Sequence, residues 1–117
     1  MITETRQYET LVITKPDLDE RLASEIVNKF EEIVKNHKGS IINKTDMGKR
    51  KLAFPIKKHS KGNFILYYYS GNPSLIREIE RQLNIREEIL RFQTIRITDE
   101  SSVSQFDLKA ISQEEEQ

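Results

Sequence analysis

Residues 47–69 read MGKRKLAFPIKKHSKGNFILYYY, and the fold turns on how this stretch is understood. Leu52, Phe54 and Ile56 alternate with Lys51, Ala53 and Pro55, the period-2 pattern of a strand with one apolar face. Pro55 lacks an N–H for a ladder, so this strand belongs at a sheet edge. Lys57 to Gly62 supplies turn residues, and Asn63 to Ser70 returns as a strand apolar or aromatic on both sides, which suits a central position. The stretch is therefore a β-hairpin. From Lys44 to Lys61 it carries seven Lys or Arg against one acid, Asp46.

Working outward, the first arm extends back to Ser40, with Gly48 placed to allow a bulge. Before it, Leu22, Ile26, Phe30, Ile33 and Val34 form one helical stripe between about Asp19 and Lys38. Asp19 suits the N-cap, and Gly39 suits the left-handed position after the last turn. Arg6–Thr14 is a strand ending at Lys15-Pro16, and its consecutive Leu11, Val12 and Ile13 predict cover on both faces. After the hairpin, Asn72-Pro73 opens a second helix carrying Leu75, Ile76, Ile79 and Leu83, which ends near Asn84. Ile89–Thr98 is a last strand.

The order β-α-β-β-α-β predicts an α+β fold. Two right-handed crossovers give the ferredoxin-like split βαβ arrangement, a four-stranded antiparallel sheet with two helices on one face. Residues 1–98 make this one domain. Residues 99–117, ending SQEEEQ, read as an acidic tail without stable structure.

The formal net charge of zero over 117 residues conceals an asymmetry. Residues 1–98 hold 18 Lys or Arg and 13 Asp or Glu, a balance of +5, and the remainder holds one Lys and six acids, a balance of −5. The body can thus bind a polyanion. No cysteine is present, so disulfides and zinc–thiolate sites are excluded. No apolar run approaches the roughly 18 residues that span a bilayer, and MITETRQYE has neither part of a secretory signal.

Catalytic constellations are missing from the pattern. The two histidines, His37 and His59, have no acid at ligand spacing, and the four glycines form no phosphate loop. The expectation is no enzyme, no metal, no cofactor and no small-molecule substrate. The cations Lys49, Arg50, Lys51, Lys57 and Lys58 either protect a sheet edge from aggregation or contact phosphate. Their spread beyond what blunting an edge requires favours phosphate. Residues 61–68 resemble the RNP1 pattern only weakly, since Asn63 and Ile65 stand where stacking rings belong.

Several motifs together carry a family resemblance. They are Tyr8-Glu9, the Pro16-Asp17-Leu18 turn, GKRKLAFPIKK at 48–58, Gly62-Asn63-Phe64, and IREEILR at 85–91. Over roughly residues 6–98 the chain resembles bacterial ribosomal protein six of the small subunit. That resemblance implies a structural protein of the ribosome in the cytoplasm, or in an organelle. It implies binding to the central domain of small-subunit ribosomal RNA together with ribosomal protein eighteen as a heterodimer. By position it points to Arg6, Arg50, Lys51, Arg86 and Arg91 for RNA. For the partner protein the expectation is Tyr8, Leu52, Phe54, Tyr67 and Tyr69. The alternative is a ferredoxin-like regulatory or interaction module without RNA binding.

Overall fold

The computed structural model describes residues 6–97 together with the backbone of Ser112–Gln113. Its elements are β1 (Arg6–Thr14), α1 (Glu20–Asn36), β2 (Ser40–Ile56), β3 (His59–Gly71), α2 (Pro73–Asn84), β4 (Ile89–Ile97) and the two-residue β5 (Ser112–Gln113). Apart from β5, the expected acidic tail lies outside the described residues. The strands run antiparallel in the order β4-β1-β3-β2-β5, so β1 and β3 are central. The four-stranded split βαβ sheet is as expected, and β5 adds a short pairing to the edge of β2.

Local chemistry starts and stops both helices. The Asp19 carboxylate accepts the Leu22 N–H at 2.8 Å, and the Asn72 side chain accepts the Leu75 N–H at 3.2 Å ahead of Pro73. At the end of α1, Gly39 N–H donates to Val34 O at 2.8 Å and Lys38 N–H to Lys35 O at 3.1 Å. These two bonds close a Schellman motif, but Lys38 (φ 65°) takes the left-handed position rather than Gly39. Gly39 is needed for another reason. A Cβ there would sit 2.6 Å from the Ser70 carbonyl oxygen.

Each sheet face has its own apolar cluster. Tyr8, Val12, Tyr67 and Tyr69 face the helices and pack with Ile26, Phe30, Val34, Leu75, Ile79 and Leu83. Phe30 stacks on Tyr67 with centroids 3.8 Å apart. The helix-free face gathers Leu11, Ile13, Leu52, Phe64, Leu66 and Leu90. Hydroxyl groups tie the three strands on the helix side, where Thr10 Oγ1 lies 2.7 Å from Tyr69 Oη and 2.8 Å from Thr94 Oγ1.

Two sequence expectations need correction. The turn is not Lys57–Gly62 but the two residues Lys57 and Lys58, both left-handed (φ 49° and 69°), with His59 already in β3. Lysine gives no turn signal, so the tight hairpin was hidden. Leu52 and Ile56 both pack in the helix-free cluster, but Phe54 does not share their face. Register slips between Lys51 and Ile56, so Leu52 is 4% exposed and Phe54 55% exposed. Tyr8, Tyr67 and Tyr69 are buried on the face that the helices cover.

Candidate nucleic-acid interface

The alternation of β2 sorts its cations. At Gly48 (φ 83°) the strand bulges, and the Asp46 carboxylate accepts the Gly48 N–H at 2.9 Å. Beyond the bulge, Lys49 pairs with Asn63, Arg50 with Gly62 and Lys51 with Lys61. Arg50 therefore points to the helix-free face, where its guanidinium lies 5.9 Å from the Phe64 ring centroid. Lys49 points the other way, and its Nζ is 3.8 Å from Asp17 Oδ1. Lys49, Arg50 and Lys51 are thus not one patch. They straddle the edge.

Further along, the hairpin curls toward the start of β4. Gly62 permits this, since a Cβ there would meet Ile13 Cγ2 at 2.6 Å and Thr14 O at 3.0 Å. The tip then reaches across, and Lys57 Nζ donates to Ile89 O at 3.1 Å. A depression of about 360 Å³ opens there, lined by Lys57, Asn84, Leu90, Arg91 and Phe92 among others. Arg91, opposite Ile13 on β1, thereby joins Lys57 although 34 positions separate them in the chain.

The charge at this end is poorly compensated. Among the described residues no carboxylate pairs with Lys51, Lys57, Lys58, Lys61 or Arg91. Lys51 and Lys61 even face each other across the strands, a repulsive arrangement unless an anion intervenes. Lys61 was absent from the candidate residues because a six-residue turn hid its position opposite Lys51. The left-handed turn adds backbone strain at the most cationic point.

Other candidates lie elsewhere. Arg86 is held by Glu25 at 3.8 Å and Glu88 at 3.5 Å, which ties the start of β4 to α1. Arg6, opposite Gly71, sits at the far end of β1, about 27 Å from Thr14 at roughly 3.4 Å per residue, and the hairpin turn lies beyond Thr14. Of the residues expected to meet a partner protein, Phe54 alone is exposed. Burial pushes the Glu9 carboxyl above the usual carboxylate range on the helix-free face, and its Oε1 has no hydrogen-bond partner. The described residues hold no cluster of metal-ligating side chains, and no helix there is long and apolar enough to cross a membrane.

Known proteins resemble this chain in sequence and fold. The chain is 46% identical over 91 residues to small ribosomal subunit protein bS6 of Sulfurimonas denitrificans, a match covering 78% of this chain and 66% of that one. It is 40% identical over 98 residues to the bS6 protein of Helicobacter pylori strain Shi470, covering 84% and 69%. The chain thus spans about two thirds of the length of these relatives. The crystal structure of 30S ribosomal protein S6 from Thermotoga maritima superposes with a TM-score of 0.75 at 30% identity, over 80% of this chain and 89% of that one. The sequence model of the family described as Ribosomal protein S6 matches residues 7–96, from the second residue of β1 to the penultimate residue of β4, and the chain belongs to that family.

Proposed function

We propose that this chain is a structural component of the small ribosomal subunit in the bacterial cytoplasm, binding the central domain of small-subunit ribosomal RNA together with ribosomal protein eighteen. Family membership makes it a structural protein rather than an enzyme. One observation carries the RNA reading. Lys57 and Arg91 line one depression at the distal end of the hairpin, Lys58 completes its turn and Lys51 faces Lys61 across the strands, with no carboxylate among the described residues to neutralise them. Phosphate supplies that charge, and counterion release supplies the free energy.

Arg50, beside Phe64, makes a further contact from the helix-free face, while Lys49, Arg86 and Arg6 add outlying ones. The cluster is modest, so specific affinity depends on the partner's added surface. Exposed Phe54, beside the cations, is the residue offered to ribosomal protein eighteen. A gel shift with a central-domain RNA fragment, with and without ribosomal protein eighteen at two salt concentrations, tests this. Salt-sensitive binding that appears with the partner supports the reading, and nanomolar binding without it would refute the cooperative part. The second reading, an interaction module, draws on exposed Phe54 and Ile42 along β2. It predicts association with protein that survives loss of the hairpin charges.

A further inference from the structure

We propose that the outer edge of β2 beside Lys49–Lys51 is a docking site for this chain's own acidic C-terminus, which holds the hairpin cations until RNA displaces it. The displacement step rests on the RNA-binding reading above. The docking step does not.

Three observations support it. First, β2 is the outer strand of the four-stranded sheet, and its edge carries unpaired backbone groups that accept a further strand. Ser112–Gln113 takes that position at one place, with Gln113 opposite Lys51 and Ser112 opposite Leu52. Second, the register is antiparallel, so each step forward from Gln113 moves one residue back along β2. Continued, it sets position 114 opposite Arg50 and position 115 opposite Lys49. Those positions are Glu114 and Glu115, followed by Glu116. Opposite charges facing each other across strands stabilise the pairing.

Third, the connection is long enough. Fourteen residues separate Ile97 from Ser112, a reach of up to about 46 Å when extended. The crossing from β4 to the outer side of β2 is four strand spacings, about 19 Å, and Ile97, level with Ser70 of β3, lies about 34 Å along the strands from the level of Leu52, a straight span of about 39 Å. The charge balance agrees, with six acids and one Lys in residues 99–117 against a body of opposite sign. Tethering also raises the local concentration of these carboxylates to roughly the millimolar range.

RNA and tail then compete for Arg50 and Lys49, and the tail's charge also opposes RNA at the neighbouring cluster. The tail weakens RNA binding most at low salt, where its own ion pairs are least screened. It also blunts non-specific binding, because any polyanion must first displace it.

The test uses the full chain carrying Glu114→Gln, Glu115→Gln and Glu116→Gln together. Without RNA, amide exchange at Arg50–Leu52 and Ser112–Gln113 should be slower in the unaltered chain at low salt than in the variant, with the gap closing at high salt. Identical exchange in both chains would overturn docking. With the central-domain RNA fragment and ribosomal protein eighteen, the variant should bind about fivefold tighter at low salt and equally at high salt. Equal affinity at low salt would overturn the competition. If neither chain binds that RNA at any salt with ribosomal protein eighteen present, the RNA reading fails, and the exchange data still decide whether the tail docks.

Discussion

Tyr67 and Tyr69 stand two residues apart on one face of β3, both buried, yet their hydroxyls differ. Tyr69 Oη reaches Thr10 Oγ1 at 2.7 Å, whereas Tyr67 Oη finds no hydrogen-bond partner among the described residues. Tyr69→Phe should therefore cost about 1 kcal/mol, while Tyr67→Phe should be neutral or slightly stabilising, as denaturant midpoints would show. Burial holds both phenols far above their ordinary range, so neither ionises at physiological pH. Glu9 behaves differently. Its raised pKa means the folded state holds the proton more tightly than the unfolded state. Stability then falls as pH rises from the usual carboxylate range through the folded value, and levels off above it. Glu9→Gln should remove that slope, giving a gain at pH 7 that vanishes at lower pH in urea titrations. Sequence could locate Tyr67 and Tyr69 as aromatic strand residues but not choose between core and interface, because β3 is apolar on both faces. Covering helices decide it, and they are set by the crossovers.

At the scale of the element, the β2–β3 hairpin places stability and binding in opposition. A two-residue turn with both residues left-handed suits Asn-Gly, and here it is Lys57-Lys58. Lys57→Asn with Lys58→Gly should raise stability by about 1 kcal/mol. The same pair should weaken RNA binding and lower its salt slope by about 1 to 2. A variant that gains stability and keeps full affinity would show that the turn lysines do not meet phosphate. Along β2, Arg50→Ala should weaken RNA binding more than Lys49→Ala, because Lys49 points away and is partnered by Asp17. Affinity measured at one low salt concentration for the two variants is enough to check the order. The hairpin itself was legible from alternation, Pro55 and the charge run. Its turn and the slip after Lys51 were not, since neither Lys57-Lys58 nor Ala53 signals a break in pairing. That slip exposes Phe54 while Leu52 remains buried.

For the whole molecule, the order of elements was readable because they begin or end beside recognisable residues: Lys15-Pro16, Asp19, Gly39, Asn72-Pro73. Long-range convergence was not. Arg91 meets Lys57 at the hairpin end only because β1 carries β4 on one side and β3 on the other. That central position also governs cooperativity. A chain ending at residue 88 should show no cooperative thermal transition by circular dichroism, since β1 would lose its pairing from Gln7 through Thr14. The sheet order has a further consequence for synthesis. Translation delivers β1 ahead of every other strand, yet Gln7 must wait for Ile97, ninety positions later, to find its neighbour on that side. Until then the Leu11-Val12-Ile13 run has no strand to cover one edge, and a nascent chain stalled before β4 emerges is a natural client for chaperones.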